Sequence, residues 1–211
     1  KKLINEQKKY LIKYSQNLGK IKWLNNFKIP NKKPSIILAN EFFDCLPIRQ
    51  FFKKNDSWYE KMIKKNNQKL TLRFQDVKVL NNKIIKKLNN TNISKVKEIS
   101  NSRERYFNKI CKHINCMGGM LIVIDYGYYD NPGYFTLQST FNNKRSNVLE
   151  NIGKQDITSL IDFKKFIEIS KKNNFDINFF NTQREFLLNN GIIERKKKIL
   201  EHSLQSEISI I

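Results

Sequence analysis

Ser35-Ile-Ile-Leu-Ala-Asn-Glu-Phe-Phe-Asp-Cys-Leu-Pro-Ile-Arg-Gln50 is the stretch whose reading decides the fold. Ile36 to Ala39 run straight into Asn40 and Glu41, and Asp44 and Pro47 come next. A short uniform apolar run after Pro34 predicts a strand buried on both faces. Asn40 and Glu41 then stand at its carboxyl end, the edge at which open α/β sheets bind ligands. Further along, Met120-Leu-Ile-Val-Ile124 repeats the pattern and stops at Asp125-Tyr126-Gly127. Two such strands, separated by helical patterns, predict an α/β fold with a largely parallel core sheet. If they are neighbours, Asn40, Glu41, Asp44 and Asp125 converge on one crevice. The plainer alternative is that Asp44 caps a turn and Asp125 caps a helix or loop.

The intervening segments read as supports. Leu3, Ile4, Tyr10, Leu11, Tyr14 and Leu18 share one face of a helix over 2–18, with Gly19 as its stop. Ile21 to Phe27 is a short apolar segment. Ile48–Phe52 and Trp58–Ile63 around Asn55-Asp56-Ser57 predict an antiparallel hairpin, which Leu70–Phe74 extends. Residues 81–95 read as a surface loop with a helical portion. Ser102 can cap a helix reaching Ile114, and Gly118-Gly119 turns the chain. Residues 127–135 form a Gly/Pro/Tyr loop, and 136–157 show little periodicity. Ser159 and Asp162 resemble a capping box for a helix over 160–173. Phe175–Phe180 is a strand candidate. Thr182 starts a short helix that Gly191 ends, and the tail from Ile192 is basic and helical in pattern.

Composition narrows the functional classes. A chain of 211 residues with 15 Phe and 8 Tyr can bury a real core. The net charge of +21 permits binding to nucleic acid or anionic surfaces. The Lys pairs are scattered rather than gathered on one stripe, which favours solvated faces, and no nucleic-acid-binding motif accompanies them. Three Cys make neither a disulfide scaffold nor, around His113, a CxxC metal pair, so a reducing compartment and no metal are expected. No apolar run approaches a membrane span, and no signal peptide is expected. Walker, HExxH, GxSxG and GxGxxG motifs are absent. The chain opens inside a helical pattern without Met or N-cap, as the later part of a longer protein would.

Ala39-Asn-Glu-Phe-Phe-Asp-Cys-Leu-Pro-Ile-Arg-Gln-Phe51 closely resembles the NEFxDALPxxQF signature of the MidA-like methyltransferases. These are class I S-adenosylmethionine-dependent enzymes that include the mitochondrial complex I assembly arginine methyltransferase. Gly118–Gly127 resembles the family's GGxxLxIDYG strand, and Thr136-Leu-Gln138 the segment after it. Asp156-Ile-Thr158 with Ile161-Asp-Phe163 resembles DLTxxVDF. Thr182-Gln183-x-Glu-Phe-Leu187 with Gly191-Ile192 resembles TQxxFLxxxGI. Cys45 departs from the usual Ala. The family's glycine-rich loop and ribose-binding acid have no counterpart. Gln7 lies in a setting that resembles the family's segment directly after that acid.

The resemblance therefore implies the C-terminal part of one Rossmann-like methyltransferase domain, spanning 1–211, with a hairpin and loop insertion over about 48–100. It implies S-adenosyl-L-methionine as cofactor and a protein arginine as acceptor, on a complex I subunit or a bacterial equivalent, in the mitochondrial matrix or a bacterial cytoplasm. By position, Glu41 and Asp44 are the candidate catalytic carboxylates. Asn40 and Glu41 would contact the cofactor, and Asp125, Tyr126 and Gln183 would line the acceptor side. Two rivals stand beside this reading. One is a non-catalytic assembly module that keeps the fold, and the other is a basic nucleic-acid-binding protein.

Overall fold

The computed structural model describes residues 2–11, 14, 21, 23–24, 27–29, 33–66, 71–90 and 94–202. Helix α1 (Lys2–Leu11) precedes β1 (Ser35–Asn40), β2 (Arg49–Lys54), β3 (Ser57–Asn66) and β4 (Thr71–Lys78). Then come α2 (Asn82–Asn89), β5 (Val96–Ile99), α3 (Asn101–Met117), β6 (Gly119–Ile124) and β7 (Gly127–Tyr128). Strands β8 (Gln138–Phe141), β9 (Lys144–Ser146), β10 (Asp156–Thr158) and β11 (Ile161–Asp162) come after them. Helices α4 (Phe163–Lys172), α5 (Gln183–Asn189) and α6 (Ile192–His202) end the described chain. Of the expected helix 2–18, residues 12–13 and 15–18 lie outside the described residues, as do Gly19 and Leu70.

The two apolar strands pair in parallel, Ser35 opposite Gly119 and Asn40 opposite Ile124. Ile37, Ala39, Leu121 and Val123 face a core built by Phe107, Ile110 and Ile114 of α3 with Phe166 and Ile169 of α4. Phe107 and Phe166 stack with ring centroids 4.1 Å apart. The other face does not match the expectation of burial on both sides. Ile36 is 80% exposed and Leu38 64%, because α3 and α4 pack on one face only.

The predicted hairpin is β2–β3, with Lys54 opposite Ser57. Asn55 and Asp56 adopt φ of 46° and 56°, the left-handed pair that a tight two-residue turn requires. The antiparallel addition is larger than a hairpin: four strands run in the order β4-β3-β2-β5, and Phe51, Trp58 and Leu88 form a second core beneath α2. Residues 138–158 carry a further antiparallel sheet, β10-β8-β9.

Three local expectations are corrected. The N-cap of α3 is Ser100, not Ser102, because Ser100 Oγ accepts from Arg103 N at 3.3 Å and donates to Pro47 O at 2.6 Å. The helix then runs on to Met117. Helix α4 starts three residues later than expected. Its cap is Asp162, which accepts from Lys165 N at 2.9 Å, while Ile161 and Asp162 pair with β7. Phe175–Phe180 forms no strand and finds no ladder partner among the described residues. Thr182 caps α5 in a full capping box with Glu185.

Candidate active site

Parallel pairing of β1 and β6 sets their carboxyl ends side by side, and Glu41 N donates to Ile124 O at 2.9 Å. Glu41 leaves the strand with φ 45°. A side-chain-bearing residue in the left-handed region persists only where its surroundings over-determine it. The chain turns at this point, so the exposed Glu41 side chain stands at the sheet edge.

Asp125 secures this turn. Its Oδ2 accepts from Phe43 N at 2.9 Å and Asp44 N at 3.3 Å, and its Oδ1 accepts from Tyr126 N at 2.9 Å. Burial raises its pKa, and the three amides oppose that rise. Asp44 is 4% exposed, and its pKa is raised by burial first and then by the charge of Asp125.

A cavity of about 610 Å³ opens at this edge. Asn40, Glu41, Asp125, Tyr126 and Gln183 all line it; Asp44 does not. Its opposite wall is aromatic: Tyr129 and Phe163 each stand beside Phe180, with centroids 5.9 and 5.5 Å apart. Phe179 and Phe186 stack at 5.4 Å. Gln183 reaches the cavity from the first turn of α5. Glu185 also lines it, but its carboxylate is held by Thr182 N and Oγ1, each at 2.9 Å.

Sequence reasoning misses two contributors. The aromatic residues of 179–186 read as a strand and a helix start rather than as a wall. Arg103 is the other. It is buried on α3, and its guanidinium donates to the carbonyls of Phe43, Asp44, Ser159 and Leu160 and to Ser159 Oγ, at 2.7–2.8 Å. The available signal is an Arg in register with Phe107, Ile110 and Ile114 on the apolar face of a helix. Among the described residues no His/Cys/Asp/Glu group could hold a metal. Burial pushes the Cys111 thiol up to about 11. No helix there is long and apolar enough to cross a membrane.

Parallel strands with an amide and a carboxylate at their carboxyl ends, facing one cavity, define an α/β ligand-binding domain. Similarity to known proteins narrows this. Residues 1–180 match the family of S-adenosyl-L-methionine-dependent methyltransferases. The chain belongs to that family, whose cofactor is S-adenosyl-L-methionine. It is 29% identical, over 79% of its length, to the protein arginine methyltransferase NDUFAF7 homolog of Caenorhabditis elegans mitochondria, and 31% identical, over 80%, to mitochondrial NDUFAF7 of Xenopus tropicalis. It spans only 40% and 39% of those proteins. Two solved Burkholderia thailandensis chains share the fold. One superposes with a TM-score of 0.77 at 20% identity, covering 98% of this chain and 56% of its own. The other, bound to S-adenosyl-homocysteine, gives 0.75 at 19%, covering 96% and 52%.

The residues present fit one end of that cofactor. A carboxylate, an amide and aromatic faces suit a sulfonium cation. After β1 the chain continues Glu41-Phe-Phe, and no glycine-rich cradle for the nucleotide end comes after a strand among the described residues.

Proposed function

We propose that this chain supplies the acceptor-side wall of an S-adenosyl-L-methionine-dependent protein arginine N-methyltransferase. The observation that carries the reading is the single cavity that gathers Asn40, Glu41, Tyr126 and Gln183 opposite an aromatic wall. The names of the animal relatives support arginine as the acceptor. An arginine guanidinium stays protonated at ordinary pH and presents a planar fork of donors. The Glu41 carboxylate can accept two of them and fix the plane. The rings of Tyr129 and Phe180 can cover its face. Such alignment can supply most of the acceleration. When bound, the cofactor supplies an electrophilic methyl group. Glu41 Oε is placed to receive the proton that the methylated nitrogen loses, and Asn40 orients the donor end. Asp44 acts in the turn and Asp125 beneath it.

The reading extends to a complex I subunit, or a bacterial equivalent, as target and to a mitochondrial matrix or bacterial cytoplasm as location. It also makes 1–211 the acceptor-side part of one larger domain, with the sheets of 48–100 inserted; the uncovered face of Ile36 and Leu38 supports this. That same face favours a second reading, a partner-binding module without chemistry. S-adenosylhomocysteine titrated into this chain and into the gene product that contains it separates the two. Mass spectrometry of arginine peptides then reads transfer, with Glu41→Gln as the test variant. Binding without transfer in the whole product would leave the module reading, and full transfer by Glu41→Gln would overturn the role given to that carboxylate.

A further inference from the structure

We infer that Arg103 is the positioning residue of the candidate site. From outside the cavity it fixes the backbone on which Asn40 and Glu41 stand. The inference rests on the reading of that cavity as the active site.

The loop after β1 has left the ladder, so its peptide groups need other partners. Asp125 takes the amides of Phe43 and Asp44. Arg103 takes the carbonyls of the same two residues, Nε to Phe43 O at 2.7 Å and Nη2 to Asp44 O at 2.8 Å. Both residues are therefore held at both polar ends, by a half-buried acid on one side and a buried base on the other. The rest of the guanidinium is spent on the segment entering β11. Nη2 also reaches Ser159 O at 2.8 Å and Ser159 Oγ at 2.7 Å, and Nη1 reaches Leu160 O at 2.8 Å. That segment closes back on the loop, since Ser159 N donates to Asp44 O at 3.1 Å.

Among the described residues no carboxylate forms an ion pair with Arg103. Its acceptors are carbonyls and one hydroxyl. A charge buried this way is costly unless every donor is used. An apolar side chain would continue the stripe of Phe107, Ile110 and Ile114 at less cost. Arginine at this position instead makes the β1 loop rigid two residues beyond Glu41, whose φ of 45° needs such support. Lysine could not replace it, because one ammonium cannot span acceptors on four residues.

The test uses Arg103→Lys, Ser159→Ala and Arg103→Ala, the last with and without millimolar guanidinium against sodium chloride of equal ionic strength. Amide hydrogen exchange is read at Phe43, Asp44, Leu46 and Ser159, with Phe51–Tyr59 as the internal control. We expect loop exchange to accelerate roughly 10- to 100-fold in Arg103→Lys, with the control amides unmoved and partial rescue of Arg103→Ala by guanidinium. In the whole gene product, kcat for methyl transfer then falls while the affinity for S-adenosylhomocysteine holds. Loop protection unchanged, or lost equally at the control amides, overturns the inference. If the unaltered product binds no S-adenosylhomocysteine, the active-site reading fails instead, and the exchange result still decides whether Arg103 holds the loop.

Discussion

Gly127 lies where the candidate site leaves no room for a side chain, which makes Gly127→Ala a sharp test of the packing. A Cβ there would lie 2.4 and 2.6 Å from two ring carbons of Phe163 and 2.6 Å from Ile161 O. Ordinary contacts need about 1 Å more. The ring could swing, but the carbonyl cannot move alone. Ile161 is fully buried and pairs with Gly127 in the β7–β11 ladder. The substitution must therefore part the two strands. Overpacking costs roughly 1–3 kcal/mol, and each ladder bond lost adds about 1 kcal/mol. The φ of Gly127 lies outside the left-handed region, so the loss of unfolded-state freedom offsets about 0.4–1 kcal/mol. The net is a destabilisation of about 2–3 kcal/mol, read as a fall in the urea midpoint at unchanged m-value. Gly133→Ala is the control: it meets nothing within 4 Å but sits at φ 79°, so it carries strain of roughly 1 kcal/mol alone. If Gly127→Ala were no worse than Gly133→Ala, the close approach of β7 to β11 would be refuted.

Three further outcomes are expected from the same geometry. Asp44 has its pKa raised on folding, by burial and then by Asp125. Such a group stabilises below its unfolded pKa, and that contribution is lost as pH rises through the folded value. Asp44→Asn should therefore stabilise the protein at neutral pH, with the gain gone below about pH 4; a pH-independent gain in urea titrations would count against it. Glu41→Asn places a residue that tolerates the left-handed region at φ 45°, so stability should rise by about 0.5–1 kcal/mol while methyl transfer falls at least tenfold. A thermal melt and the peptide assay read the two halves, and a destabilised or fully active variant contradicts them. Asp125→Asn keeps one oxygen for Phe43 N and Asp44 N but turns an NH₂ toward Tyr126 N, a loss of about 1–3 kcal/mol that denaturation would measure; a neutral result would show that Asp125 is not holding the turn.

The sheet at the heart of the site was legible because its strands are uniform. Ile36–Ala39 and Met120–Ile124 admit one period and one partner, and they do pair. The hairpin was legible because Asn55-Asp56 supplies the turn chemistry. Helix starts were less so, since Ser100 and Ser102 are equally good caps by type. The Pro47 carbonyl, 53 residues away, makes the choice. Strands β8 to β10 hid because their residues, among them Ser139, Thr140, Lys144 and Arg145, are polar and are held by backbone pairing rather than by an apolar period. The strand expected at Phe175–Phe180 read well on β-propensity alone, but a strand needs a partner. Arg103 was hidden for the opposite reason. Its position marks it as core and its type marks it as surface, and only the fold shows which carbonyls reconcile the two.

The acids at the site illustrate how motif and role come apart. Four carboxylates cluster near the edge of β1 and β6, and all belong to recognisable runs of sequence. Asp125 is committed to three backbone amides. Asp44 is buried in the turn and does not line the cavity. Glu185 lines the cavity, but its carboxylate closes a capping box. Glu41 alone of the four both lines the cavity and carries no hydrogen bond on its carboxylate among the described residues. A group that must grip a substrate cannot already be spent on its own backbone, which is why the proposed chemistry is given to the uncommitted acid. The half-buried Asp125 and the buried Arg103 hold the peptides beside it, and the strained φ of Glu41 marks where that support is used.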